Sequence, residues 1–276
     1  MEKTIESVLA QSRKPLVWVI VNDASTDRTG VVADHYARKN AFIISTSTQR
    51  NGNHSFSNKA RAFNTGLELL RGTEYDVIGN LDADVSFEAN YFENLIRAFE
   101  QDVRLGISGG IIYTKIKGRF ITGDETLDSV AGAVQLFRKE CFEDVGGAYL
   151  PLPYGGIDAA AEIIAKAKGW KVRKSTADKV FEHRQTGTAA MKPLAAAYRL
   201  GHRFHSLGYG MLFYTLRCLY RLKDDPILVG SCAAFFGFVE SLAKQRPILL
   251  PDQVVAHLRA EQRRKLLQSL LPWRRG

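Results

Sequence analysis

The sequence is short of several things, and each shortage closes off a class of protein. Only three of its 276 residues are cysteine. Cys141, Cys218 and Cys232 have neither an even count nor metal-ligand spacing, which argues against a disulfide framework and predicts plain buried thiols in a reducing, cytosolic compartment. Long apolar runs are missing. The longest, Pro226 to Val239, falls short of the roughly 20 residues that a membrane-spanning helix needs. No charged-then-apolar leader is read at the start, and neither an internal repeat nor a low-complexity stretch is present. Residues 1–190 lack net charge, with 24 Lys+Arg against 24 Asp+Glu.

What remains is ordinary globular usage, 45% apolar and 24% charged, enough to bury a full-sized core. The whole excess of +9 sits in residues 191–276, where 14 Lys+Arg meet 5 Asp+Glu. A neutral first part joined to a basic last part suggests a catalytic or binding domain with an anion-seeking tail.

Hydrophobic periodicity organises the chain. Lys3–Gln11 reads as a helix, and Leu16–Val21 as a buried parallel strand, being an unbroken β-branched and aromatic run. A helix over Val31–Lys39, a strand over Ala41–Ser45 and a polar loop through Ser57 follow. Next come a helix over Lys59–Leu70, a strand over Asp76–Leu81, a helix over Glu88–Glu100 and a strand over Leu105–Tyr113. This alternation predicts βαβ units and a parallel sheet. Lys115–Ser129 reads as a long surface loop. Ala133–Arg138 gives a strand, Lys139–Val145 a short helix, Gly146–Gly156 a loop, Asp158–Lys168 a helix and Trp170–Arg173 a short strand. Beyond Gly187 only helical patterns remain, so a boundary falls near 185–192, dividing residues 1–187 from 188–276.

Several residues carry candidate chemistry. Asp82-Ala83-Asp84 follows a strand, and ligands of open parallel sheets bind beyond the carboxyl ends of strands. Two carboxylates in such a turn can hold a hard cation that clamps phosphates, or serve as a turn and helix cap. Asp23 and Asp27 also lie just past a strand, one able to meet a nucleobase while the other orders the loop, unless both do Asx-turn and capping work. Lys59 and Arg61 stand on one helix two residues apart, so they do not share a face; one can reach a phosphate while the other is solvated. Asp158 opens a helix after Gly155-Gly156-Ile157, a capping position compatible with catalysis. His183, between Glu182 and Arg184, is structural or a metal or phosphate contact.

Together these features resemble a family. Asn22–Thr29 resembles the D-x-S-x-D-x-T segment of the family 2 glycosyltransferases, the Lys59–Leu70 helix carries a similar Arg-x-x-Asn, and Asp82-Ala83-Asp84 matches the family's D-x-D. Gly132–Gly147 is similar to its acceptor-side strand and F-x-x-V-G-G step. Gly156-Ile157-Asp158 sits where the family carries Glu-Asp. The resemblance covers roughly residues 2–185. It implies the GT-A fold, an α/β Rossmann-like, mostly parallel sheet flanked by helices, here followed by a basic helical region. It also implies a nucleotide-sugar donor with Mn²⁺ or Mg²⁺. By the same resemblance Asp23 would meet the base, Asp82 the ribose, and Asp84 the metal, with His183 a further metal or diphosphate contact and Asp158 the general base of an inverting displacement.

Two departures stand out. Ile157 replaces the usual Glu, and family members begin with a strand that this chain does not show before Glu2, so a truncated or misassigned start is expected. The processive Gln-x-x-Arg-Trp pattern is absent, which predicts transfer of one sugar per acceptor. The leading expectation is a hexosyltransferase of cell-surface glycan assembly acting on a glycan or lipid-linked acceptor; the alternative is a catalytically impaired GT-A-like scaffold. No nucleic-acid recognition motif accompanies the basic residues. Val254, Val255, Leu258, Leu266, Leu267, Leu270 and Leu271 alternate with Arg259, Arg263, Arg264 and Lys265, ahead of Trp273, Arg274 and Arg275. That order, interrupted by Gln262, suits a helix lying on an anionic membrane at the inner face of the plasma membrane.

Overall fold

A computed structural model describes residues 1–48, 57–122, 126–184, 193–223 and 227–270. The chain divides into two compact units, residues 1–153 with 157–185, and residues 154–156 with 186–276. The boundary expected at 187–188 lies among residues 185–192, outside the described residues, as does most of the polar loop before Ser57.

The first unit is α/β. Its elements run α1 (Glu2–Leu9), β1 (Trp18–Asp23), α2 (Thr29–Lys39), β2 (Ile43–Thr48), α3 (Ser57–Glu68), β3 (Val77–Gly79), β4 (Val85–Phe87) and α4 (Tyr91–Gln101). They continue with β5 (Leu105–Ile116), β6 (Arg119–Ile121), β7 (Leu136–Arg138), α5 (Lys139–Asp144), α6 (Ile157–Ala167) and β8 (Lys171–Glu182). β1 and β2 pair in parallel as one sheet; the other six strands form a second sheet in the order β3-β7-β5-β8-β4, with β6 on β5. An apolar cavity of about 370 Å³ lies along β1 and β3, lined by Val19, Val21, Leu67, Ile78 and Leu81 among others.

Pairing is more mixed than the alternation suggested. β5–β8 is parallel, but β3–β7, β4–β8, β5–β6 and β5–β7 are antiparallel. The stretch read as a long loop from Lys115 instead begins with a hairpin, since β5 runs on to Ile116 and turns at Lys117 and Gly118, both at positive φ, into β6. The short strand expected at Trp170–Arg173 is the start of β8, which continues to Glu182 past a register shift.

The core explains these elements. α4 turns Tyr91, Leu95 and Phe99 inward at helical spacing, and Tyr91 packs with Val85, Phe87 and Val180 of β4 and β8. Each such fully buried side chain contributes about 1.5–3 kcal/mol of transfer free energy. Buried Gln11 ties α1 to α4, donating to the carbonyls of Ser7 and Glu88 while accepting the Phe92 N–H at 2.9 Å.

The described part of the second unit is helical: α7 (Pro193–Ser206), α8 (Met211–Tyr220), a 3-10 turn (Arg221–Lys223), α9 (Val229–Ala243) and α10 (Asp252–Leu270). α7 and α9 meet backbone to backbone. A Cβ on Gly201 would stand 2.1 Å from the Ala234 carbonyl oxygen, and one on Gly237 would stand 2.0 Å from that of Tyr198. The apolar run that continues into α9 is therefore a packed helix, and among the described residues no helix is long and apolar enough to cross a membrane.

The apolar residues of α10 divide, with Leu267 toward its end 59% exposed and those at its start turned inward. Its Val254, Val255 and Leu258 are buried, and Gln262 breaks the stripe because its side chain accepts the Gly210 N–H at 3.0 Å. Among the described residues an exposed apolar stripe also lies on α8, at Leu212, Leu216, Leu219 and Tyr220, the last 89% exposed, followed by Ile227, Leu228 and Val229. Trp273, Arg274 and Arg275 lie outside the described residues. Cys141 and Cys218 are buried as expected, whereas Cys232 is exposed on α9.

Candidate active site

β3 ends at Gly79, and the chain turns through Asp82 and Asp84 into β4. The Lys59 ammonium on α3 meets the Asp82 carboxylate at 2.6 Å and donates to the Gly132 carbonyl at 3.2 Å. The Asn80 side-chain amide donates to that same carbonyl. The Gly132 N–H donates to Asp158 Oδ2 at 3.2 Å. The backbone of one residue, Gly132, thus joins the Asp82–Lys59 pair through its carbonyl to Asp158 through its N–H. Only glycine lets α6 come this close: a Cβ on Gly132 would stand 2.9 Å from both Cβ and Oδ2 of Asp158. Asp158 lies in the first turn of α6, with its carboxylate reaching across to Gly132.

Asp84 stands on the other side of the turn. Burial pushes its carboxyl up, and the charges of Asp82 and Glu182 push it further, against Arg184. Its carbonyl accepts the His183 N–H at 2.8 Å. His183 Nε2 lies 2.8 Å from Ser86 Oγ, and burial, then Lys3 and Lys115, hold the ring below the ordinary histidine range.

The remaining candidates are placed differently. Asp23 closes β1, where Oδ1 accepts the Thr48 hydroxyl at 2.9 Å and so ties it to the end of β2. Asp27 accepts the Thr29 N–H at 2.9 Å; that turn, through its hydrogen bonds from Thr29, holds the exposed carboxyl below its usual range. Arg61 is exposed on α3 and does not join the Lys59–Gly132–Asp158 chain, in keeping with its spacing from Lys59.

A carboxylate crowded by two others is a place where a cation is favourable. Among the described residues, however, no group of three or more His, Cys, Asp or Glu side chains is set to hold a metal. The donor set therefore fits a hard cation taking one or two protein carboxylates and completing its shell with substrate phosphates and water, rather than an all-protein cage.

Of the residues behind Asp158, Asn64 stands out in the sequence through the Arg-x-x-Asn of its helix, whereas Glu162, Gln135 and Tyr149 do not. Glu162, one turn along α6, is buried, and its Oε1 accepts the Val130 N–H at 2.6 Å and the Gln135 side-chain amide at 3.2 Å. Gln135 in turn accepts the Tyr149 hydroxyl at 2.6 Å. Asn64 on α3 holds the Tyr149 backbone at both its N–H (3.1 Å) and its carbonyl (3.0 Å). The i, i+4 spacing of Asp158 and Glu162 was the available signal.

The model of the glycosyl transferase family 2 matches residues 1–149, more than half of the chain. The chain belongs to that family. Within it, the chain is similar to the uncharacterized glycosyltransferase EpsJ of Bacillus subtilis, 34% identical over 119 residues that make up 43% of this chain and 32% of EpsJ. It is also similar to the poly-beta-1,6-N-acetyl-D-glucosamine synthase of Staphylococcus aureus, 28% identical over 193 residues, 62% of this chain and 42% of the synthase. The chain thus spans about a third to two fifths of the length of these curated relatives. Among solved structures it is similar to the mannosyltransferase PcManGT from Pyrobaculum calidifontis in complex with GDP-Man and Mn²⁺. That TM-score is 0.53 at 15% identity, over 99% of this chain and 76% of the other. GalNAc-T7 with UDP, GalNAc and Mn²⁺ gives 0.53 at 13% identity, over 88% and 53%. The fold of this family 2 member is that of the GT-A glycosyltransferases.

Proposed function

We propose that this chain is a non-processive, inverting hexosyltransferase that moves one sugar from a nucleotide-sugar to a glycan or lipid-linked acceptor in cell-surface polysaccharide assembly. The observation that carries this reading is the continuous link from Asp82 through Lys59 and Gly132 to Asp158. It ties a donor-side carboxylate and a candidate base to the carbonyl and the N–H of one residue, Gly132. Family membership supports the activity, and the likeness to enzymes solved with GDP-Man or UDP and Mn²⁺ supports the donor class.

In this reading Asp23 and Asp27 face the nucleoside, Asp82 the ribose, and Lys59 shares its charge between Asp82 and the donor, with Arg61 at the outer edge. Asp84, with His183 beside it, would hold Mn²⁺ or Mg²⁺, which when bound would offset the charge of the departing diphosphate. Asp158 takes the proton of the acceptor hydroxyl as it attacks the anomeric carbon. The test is release of nucleoside diphosphate from a panel of UDP-, GDP- and dTDP-hexoses with Mn²⁺ or Mg²⁺. At least one donor is expected to turn over. Nucleotide binding without turnover of any donor would favour the non-catalytic scaffold reading instead.

The basic excess in residues 191–276, beside the exposed stripe of α8, supports reversible attachment of residues 188–276 to an anionic membrane. The full chain is expected to sediment with phosphatidylglycerol vesicles, to do so less with phosphatidylcholine ones, and to lose binding as salt shortens the screening length from about 10 Å at 0.1 M. Sedimentation indifferent to lipid charge and salt would contradict this attachment.

A further inference from the structure

Beneath Asp158 the structure closes a ring that the transfer chemistry alone does not call for. Starting at α3, Lys59 reaches the Gly132 carbonyl, Gly132 reaches Asp158, and the Asp158 carbonyl lies 3.5 Å from Gln135 Nε2. Gln135 holds the Tyr149 hydroxyl, and Asn64 returns the Tyr149 backbone to α3. One buried ionisable side chain anchors the turn at its centre. Glu162 takes the Val130 N–H and the Gln135 amide on one oxygen, and Gln135 also donates to the Val130 carbonyl at 3.1 Å.

We propose that Glu162 is a positioning residue: through the 130–135 turn it sets where the Gly132 N–H holds the Asp158 carboxylate, and its ionisation tightens that hold. This rests on the reading of Asp158 as the base. The groups facing Glu162 are the Val130 N–H, the Ser129 hydroxyl, the Gln135 amide, the Lys166 ammonium and the Asp158 carboxylate, with Tyr149 behind Gln135. Burial pushes its carboxyl up to about 7, with Asp158 adding to the rise, while Val130, Ser129 and Lys166 oppose it. An ionised Glu162 binds its donors by charge-assisted hydrogen bonds, which are the stronger kind.

The sign for stability runs the other way. A folded-state value raised above the ordinary one means that the stabilisation is complete below about 4.5 and is lost as pH rises through about 7. Glu162→Gln keeps an acceptor oxygen and drops the charge. The variant should therefore melt no lower than the parent at pH 8 while turning over more slowly. A merely structural role predicts that both fall together.

The experiment uses the full chain and two readouts. In ¹⁵N–¹H spectra between pH 5.5 and 8.5, the Val130 and Gly132 amides should shift with a shared midpoint near 7 and stop doing so in Glu162→Gln. In turnover of the donor identified from the panel, kcat should rise through the same midpoint. Glu162→Gln should lose that rise and about tenfold of kcat at pH 8, with donor KM unchanged, and Glu162→Asp should retain the rise. A Gly132 amide that stays fixed while Val130 moves, or neither moving, would overturn the proposal. So would a Glu162→Gln enzyme with the parental profile when Asp158→Asn is impaired. If Asp158→Asn is itself without effect, the base reading fails, and the amide titration, which needs no donor, still decides whether Glu162 governs the turn.

Discussion

Asp158→Asn is expected to lower turnover by about a hundredfold or more while leaving donor affinity nearly unchanged, as for a group acting only in the transition state. An amide at this position still offers an oxygen to the Gly132 N–H, so the turn and the first turn of α6 keep their geometry. What is lost is the ability to take a proton. The measurement is kcat and KM for the donor at saturating acceptor, with nucleotide affinity by calorimetry as the control. Collapse of donor affinity together with kcat would instead make Asp158 a structural tie between α6 and Gly132, or a donor contact.

Asp84→Asn is expected to remove divalent-dependent transfer, by at least about a hundredfold at saturating Mn²⁺, because a neutral amide is a poor ligand for a hard cation beside a diphosphate. The structure separates this loss from unfolding. Asp84 is raised by burial and by the neighbouring Asp82 and Glu182 charges, so removing its charge relieves repulsion. The variant should then melt no lower than the parent in the absence of metal. Full activity with unchanged metal dependence would remove Asp84 from the site, and a large drop in melting temperature would assign it to the fold.

How much of this was legible in sequence depends on what each residue's neighbours are. The run from Leu16 marks β1 by its β-branched and aromatic residues, although in the strand only Ile20 is buried and Leu16 lies exposed ahead of it. Asp82, Asp84 and Asp158 were visible as turn and helix-start residues, since those positions are marked by local chemistry. The β5–β6 hairpin was missed although Thr114 to Ile121 alternates around Lys117-Gly118; the lysines in it disguised a strand pair as a loop. β8 was cut short because Ser175 to Asp178 breaks the pattern where the register shifts, and there the Ser175 hydroxyl bonds to the Asp178 carboxylate at 2.5 Å.

The deeper shell was the least legible. Glu162 sits in an alanine- and isoleucine-rich helix, and nothing in the linear sequence says that its side chain turns inward onto Val130 and Gln135. The same blindness to tertiary contact explains α10. Its mixed apolar and basic order reads as interfacial throughout, and does not tell that Val254, Val255 and Leu258 are buried while Leu267 is exposed. Arg61 illustrates the converse, as helical spacing alone already separated it from Lys59.

The central claim is that the Asp82–Lys59–Gly132–Asp158 arrangement supports direct attack on a nucleotide-sugar. The most direct measurement is the anomeric configuration of the first product formed from an α-linked donor, read by NMR from the one-bond and vicinal couplings at the transferred C1. The account predicts a β-linked product from the earliest time points, with its formation abolished in Asp158→Asn. An α-linked product, or one formed equally well by Asp158→Asn, would contradict it.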